Sequence, residues 1–193
     1  MKFHWFNLMP WPHLPDDFTE KHRSVWVDVD SRLFDPVKAN RIYNDYLDLL
    51  ELAEDVGYDG LGINEHHQNA YGLMPSPQLM AATLSRRTHR AAILLLGQSL
   101  ALYDPPTRVA EEMAMIDCMS GGRLISGFPV GSSMDDNYAC GANPATHGAC
   151  SRQPCDGGSV RTRLGRAAMR VYQSTSRGWP SRHRNAGQRF SMA

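Results

Sequence analysis

The sequence has no long apolar run. The longest unbroken one, Ala91 to Leu96, falls far short of the ~20 residues that a membrane-spanning helix needs. Nor does the N-terminus offer a signal-peptide core, because the aromatic stretch after Lys2 is broken at Pro10 and Pro12. A cytoplasmic protein without a membrane segment is the expectation. Cys118, Cys140, Cys150 and Cys155 form no CxxC pair. HxH and HExxH are also missing, so no zinc-ligand spacing is present and the cysteines read as free thiols. No GxGxxG follows any apolar segment, which argues against a dinucleotide-binding Rossmann domain.

The last quarter is poor in a different way. Residues 147–193 contain no lysine, one acid (Asp156) and only Val160, Leu164, Val171 and Phe190 among the Ile, Leu, Val and Phe residues. The overall net charge of zero hides this split. Residues 1–146 carry 11 Lys+Arg against 19 Asp+Glu, a net −8, whereas residues 147–193 carry 9 Arg against 1 Asp, a net +8. So few apolar groups cannot offset the entropy of ordering a packed core, and a disordered Arg-rich tail is expected from 147.

Residues 1–146 alternate strand and helix signals. The aromatic and apolar residues 2–9 read as a first strand, and 10–34 as a long loop. Asp35-Pro36 is an N-cap with proline at the first helical position, Ile42, Tyr46, Leu49, Leu50, Ala53 and Val56 recur at helical spacing, and Gly57 fits the position past the helix end. Residues 58–64 form a second strand. Ser76-Pro77 opens a helix to about Thr88 with Leu79, Met80, Thr83 and Leu84 inward. Residues 91–102 read as a buried strand. Asp104-Pro105-Pro106 opens a helix with Val109, Met113 and Ile116 inward, closed by Gly121-Gly122. Residues 123–128 form a fourth strand. Strand starts at 58, 91 and 123 lie about 32 residues apart. This alternation predicts a parallel α/β sheet with crossover helices, without separating a closed barrel from an open doubly wound sheet.

The ends of these strands carry the chemistry, since that is the ligand face of parallel α/β folds. Asn64-Glu65-His66-His67 ends the second strand. A histidine there can act as general acid or base near neutral pH, or be an ordinary satisfied loop residue. Adjacent strand residues point to opposite faces, so His66 and His67 do not chelate one ion readily. Gly97-Gln98-Ser99 ends the third strand, where a glycine permits close approach of a planar ligand or simply relieves crowding. The segment 127–133, GFPVGSS, ends the fourth as a small-residue pocket wall or an ordinary turn.

Taken in order, GYDGLGINEHHQNAYGLMPSPQLMAATLSRRT, LLLGQSLALYDPPTRVAEEMAMIDCMSGGRL and SGFPVGSSMDDNYACGANPAT resemble the bacterial luciferase-like flavin-dependent monooxygenases, over about residues 2–146. The resemblance implies a (β/α)8 TIM-barrel type of fold, of which about the first four β/α units are present. Flavin would sit at the C-terminal mouth of the strands. The cofactor implied is reduced FMN delivered by a partner flavin reductase, with the deazaflavin F420 the less favoured choice. The reaction implied is oxygenation of a small organic substrate by O2. His66 matches the histidine that serves as catalytic base in luciferases, with Glu65 and His67 orienting it or the ring. Gly97, Ser99 and Leu100 would line the flavin, and Gly127 would give it room. Homo-oligomers are common in the family. One departure is Val130, which stands where luciferase has an arginine that grips the flavin phosphate.

Where the family's later strands should follow Asn143-Pro144-Ala145, this chain turns rich in Arg, Ser, Gly and Cys. The charge flip and the loss of lysine and aliphatics lead to the expectation that residues from about 147 are an out-of-frame translation of a GC-rich gene. A half barrel would then expose two unpaired edges and an apolar face, and a non-catalytic flavin-binding or inert half-barrel protein is the alternative reading. Nucleic-acid binding by the tail ranks last, since it lacks lysine, aromatic interleaving and any known motif. Translation of the coding DNA across Asn143 to Cys155 in all three frames should show strands and helices resuming in another frame. If no frame restores them, the frameshift reading fails.

Overall fold

The structure, a computed structural model, describes residues 1–103, 105–129 and 133–140. The expectations for residues 147–193, and those for Asp104 and Val130, lie outside them. Four short strands, β1 (His4–Phe6), β2 (Gly60–Ile63), β3 (Ala92–Leu95) and β4 (Leu124–Ser126), form one parallel sheet in the order β1-β2-β3-β4. The four-residue helix α1 (Phe18–Lys21) lies in the loop after β1. The crossovers carry α2 (Pro36–Asp55), α3 (Pro77–Arg87) and α4 (Thr107–Ser120), and α5 (Met134–Cys140) follows β4.

The helix limits follow from local chemistry. Asp35 Oδ1 accepts hydrogen bonds from Val37 N (2.8 Å) and Lys38 N (3.2 Å), and Pro36 follows the cap. Ser76 Oγ caps α3 before Pro77. Past α2 and α4 the chain needs left-handed backbone, which Gly57 (φ 102°) and Gly121 (φ 72°) supply without a side-chain clash. The buried faces were less legible. Leu79, expected inward on α3, is 70% exposed, and Thr83 is exposed too. Met80, Ala81 and Leu84 face the core, with Gln78 and Ser85 buried beside them. Val56 caps α2 in solvent rather than packing inward. The third strand ends at Leu95, not near residue 102, and Leu100–Leu102 instead form a 3-10 turn.

The register explains the layers. Trp5, Leu61, Ile93 and Leu124 lie in one row across the sheet, and Ile63, Leu95 and Ser126 in the next but one. Leu61, Ile63, Ile93 and Leu95 are fully buried in one cluster with Leu50 and Ala53 of α2, Ala81 and Leu84 of α3, and Val109 and Ile116 of α4. All three crossover helices therefore cover the same face. Sequential strand order with one-sided helices is the winding of a (β/α)8 barrel, since a doubly wound sheet reverses its strand order and covers both faces. The opposite face carries Phe6 and Leu96, each about half exposed. Between them Gly62 leaves no free space for a side chain, since a Cβ there would lie 2.9 Å from Leu96 Cδ1 and 3.0 Å from Phe6 Cδ2 and would push them aside.

One buried and one half-buried charge tie the N-terminal ends of the strands. The Glu54 carboxylate accepts the N–H groups of His89 (2.8 Å), Arg90 (2.9 Å) and Ala91 (2.6 Å) at the entry to β3. The Arg123 guanidinium donates to the carbonyls of Ser85, Thr88, Ala91 and Ser120 and to Thr88 Oγ1. Cys118 is a free, exposed thiol. Among the described residues no helix is long and apolar enough to cross a membrane.

Burial alone would push the Glu54 carboxyl up, but the three N–H donors outweigh it and hold it below its ordinary value. A depressed carboxyl stabilises the fold above its unfolded value and loses that contribution as pH falls. Glu54→Gln should therefore cost about 1–3 kcal/mol at neutral pH in urea unfolding. The gap from wild type should shrink below pH 4.5, the ordinary carboxyl value. A gap that persists unchanged in acid would assign the loss to packing instead.

Candidate active site

The loop after β2 is held by its neighbours before any catalytic residue is considered. Trp11 N donates to Ala70 O (2.9 Å), Leu73 N to Met9 O (2.8 Å), and the Tyr43 hydroxyl to Leu73 O (2.6 Å). Asn69 Oδ1 accepts Tyr71 N and Gly72 N, turning the chain back. Gly72 then passes close to the His66 ring, where a Cβ would lie 2.7 Å from Cδ2. Trp26 stacks on Tyr71 with centroids 3.8 Å apart, and both meet the His66 ring edge-on at 5.3 Å.

Within this frame the two adjacent histidines face different carboxylates. His66 Nδ1 lies 3.0 Å from Asp135 Oδ2 in the first turn of α5. The same oxygen accepts His67 N (2.9 Å) and Asn69 Nδ2 (2.8 Å). His67 Nε2 lies 3.0 Å from Glu65 Oε1. Glu65 is 7% exposed. It also accepts the Tyr103 hydroxyl at Oε1 (2.6 Å) and Ser99 N at Oε2 (2.9 Å).

The charges follow from these contacts. Burial pushes the Asp135 carboxyl up, yet hydrogen bonds from His66, Ser133 and His67 N outweigh it and hold it at about 2. Asp135 is thus ionised and can only accept, so the proton between it and His66 sits on Nδ1. In the neutral imidazole this leaves the Nε2 lone pair free to take a proton. Hydrogen bonding to Glu65 holds His67 above its ordinary value against the opposing effect of burial. His67 therefore balances the Glu65 charge. Burial, together with Glu65, raises the Tyr103 phenol. Burial raises Asp136, with Asp135 and Glu65 adding to the effect. Among the described residues no three His, Cys, Asp or Glu side chains are grouped to hold a metal ion.

Of the residues singled out from sequence, Glu65, His67 and Ser99 meet in one buried cluster, and His66 stands beside it on Asp135. Gly97 and Gly127 lie at the mouth of the sheet. A Cβ on Gly97 would come no nearer than 3.6 Å to any atom, with Asn64 beside it, and Gly127 N donates to Leu95 O (2.8 Å). Leu100 is partly buried and packs against the hydrophobic core. Asp135, Asn69 and Tyr103 were not singled out from sequence. The signal that could have found Asp135 is an acid within the quoted SSMDDNY segment, but its partner lies 69 positions away.

Asn64 and the two glycines also bear on a flavin. Asn64 is buried and its Oδ1 has no hydrogen-bond donor. Next to it are side-chain-free Gly97 and half-exposed, apolar Leu96. A flat apolar ring carrying an N–H, as an isoalloxazine does, fits this shelf.

The sequence model of the luciferase-like monooxygenase family matches residues 28–151. That is well over half of the chain, and the chain belongs to this family. It is 35% identical over 99 residues to 4-hydroxyprotoasukamycin monooxygenase of Streptomyces nodosus subsp. asukaensis, covering 51% of this chain and 26% of that protein. It is 30% identical over 101 residues to the oxygenase component of the flavin-dependent trigonelline monooxygenase of Acinetobacter baylyi, covering 52% of this chain and 28% of that protein. The aligned chain thus spans about a quarter of the length of these curated relatives. Among solved structures, monooxygenase RslO1 of Streptomyces bottropensis superposes with a TM-score of 0.61 at 24% identity, over 88% of this chain and 42% of that one. The oxygenating constituent of 3,6-diketocamphane monooxygenase from Pseudomonas putida, solved with FMN, gives 0.56 at 14% identity, over 89% and 38%. At these identities the structures speak for the fold alone.

A histidine raised in the folded state adds stability that is complete below its ordinary value of 6.5 and is lost as pH rises through the raised value. The melting-temperature gap between wild type and His67→Gln should accordingly be widest near about pH 6 and narrow toward about pH 9. A gap that grows with pH would show that His67 does not neutralise Glu65.

Proposed function

We propose that the chain is the oxygenase part of a two-component flavin-dependent monooxygenase, acting with O2 on a small organic substrate. The observation that carries this reading is the His66–Asp135 pair, held on the loop whose Asn64 lies against Gly97. Reduced FMN from a separate flavin reductase is the cofactor proposed. FMN in the diketocamphane structure and the oxygenase-component relative support that choice, and F420 is the less favoured alternative.

Bound reduced flavin would supply the electrons that let O2 react with the substrate. The chain's own residues then have distinct tasks. His66 Nε2 takes a proton from a group placed against it, and the resulting imidazolium is stabilised by Asp135 at Nδ1. Glu65 is the anchor that His67, Tyr103 and Ser99 N hold in place, and His67 keeps that anchor electrically balanced. Asn64 Oδ1 would accept from the ring, with Gly97 letting it approach the backbone. The second reading, a non-catalytic flavin-binding or inert half barrel, draws on the apolar sheet face that stays half exposed at Phe6 and Leu96.

Anaerobic titration of the full chain with reduced FMN should give saturable binding, and no binding at tens of micromolar would overturn the proposal. Stopped-flow mixing with O2 then separates the two readings. His66→Ala should keep flavin binding but slow oxidation of the bound flavin about 10²–10⁴-fold, the usual worth of a general base. Asp135→Asn should also slow that oxidation, because the carboxylate that fixes the proton on His66 Nδ1 is gone. Identical rates in all three proteins would favour the non-catalytic reading.

A further inference from the structure

His66 forms part of the wall of a cavity of about 540 Å³, within the range of small-molecule sites. The wall is built by the loop after β1, the first half of α2 and the loop after β2. Trp11, Leu33, Phe34, Tyr43 and Leu73 supply most of its apolar surface. The Trp11 and Phe34 rings meet at 5.4 Å with a 36° tilt, making a broad aromatic side. Trp11 is buried, and its indole N–H has no acceptor.

The charged groups around this cavity are of one sign. Asp28 and Asp30 line it, and among the described residues no lysine or arginine does. Asp30 is already engaged by Arg32, whose side chain lies 88% exposed outside the wall. Asp28 is exposed at the rim and, among the described residues, accepts only the Tyr138 hydroxyl, at 3.3 Å. Asp28 also holds a left-handed backbone (φ 56°), which costs little for an aspartate but fixes its place at the opening. On the inner side, the charge facing His66 is Asp135. An anion entering here would meet carboxylates, with the one nearby guanidinium already committed to Asp30, in surroundings where an unpaired charge is costly.

We infer that this cavity binds the organic substrate presented to His66, and that the substrate is a compact apolar molecule, uncharged or cationic, not a carboxylate, sulfonate or phosphate. The inference rests on the reading of His66 as the reacting base, and it assigns the substrate a place distinct from the flavin shelf at Gly97. A positive charge at the rim would pair with Asp28.

The test uses the full chain without flavin and three probes of one skeleton: benzyl alcohol, benzylammonium and benzoate, titrated calorimetrically at low salt. Benzyl alcohol and benzylammonium should bind, with benzoate about tenfold weaker or more. The imidazole NMR signals of His66 should move on saturation. Asp28→Asn, an exposed substitution compatible with folding, should abolish the advantage of benzylammonium over benzyl alcohol. Leu33→Trp should fill the space and weaken both probes. Benzoate binding as tightly as the alcohol, or a His66 signal that stays still at saturation, would overturn the inference. Because no flavin is present, failure of the flavin titration would count against the proposed reaction and leave this result independent of it.

Discussion

Glu65 is a carboxylate with almost no access to water, and the upper end of the sheet is organised around neutralising it. An unpaired buried charge costs far more than any one hydrogen bond returns, so each of its oxygens must find donors. They come from its own loop, through His67 Nε2, and from the loop after β3, through Ser99 N and the Tyr103 hydroxyl. Two consecutive strand ends are thereby fixed to each other. Because His67 is committed to Glu65, its neighbour His66 turns to a second carboxylate, on α5. The two histidines differ because they differ in partner: Glu65 holds one above its ordinary value, and the other places Nδ1 against Asp135.

Much of the frame was legible because its signals are local. Asp35-Pro36, Ser76-Pro77 and Gly121-Gly122 mark helix ends through bonds or dihedral angles satisfied within a few residues, and the structure places the ends there. Val109, Met113 and Ile116 were read correctly because α4 has one apolar stripe. α3 was misread because its buried face is partly polar. Gln78 and Ser85 go inward while Leu79 stays in solvent, and a rule that sends apolar residues inward selects the wrong stripe. The candidate site was half legible. Glu65, His66 and His67 are contiguous and end a strand, whereas Asp135 and Tyr103 reach them only through the fold. No pattern of spacing encodes a contact between a strand end and a helix 69 positions later.

The opposite end of the sheet uses the same electrostatic logic for a different end. Glu54 collects three backbone N–H groups at the entry to β3, and Arg123 collects four carbonyls and a hydroxyl around the entry to β4. Arg123 is the arginine of the SGGR turn that contributed to the family resemblance. Its contacts explain why an arginine is needed there without any appeal to chemistry. Only a flat, permanently charged group with several donors satisfies so many acceptors at once. A family signature therefore mixes residues that build the sheet with residues that face a ligand, and geometry is what separates them.

The strand order has a further consequence. Right-handed crossovers between strands taken in sequence put every helix on the same side. One face of the sheet is sealed by α2, α3 and α4, and the other receives nothing from them. That second face carries Phe6, Leu96 and Gly62, and it runs up to Asn64 and Gly97 at the mouth. The feature that leaves apolar surface exposed also leaves a shallow, side-chain-poor shelf beside an orphaned amide oxygen. A doubly wound arrangement of the same elements would have covered both. The winding thus links the half-exposed apolar face of this fold to the shelf proposed above for a flat ring, while His66, two residues past Asn64, lines the aromatic cavity.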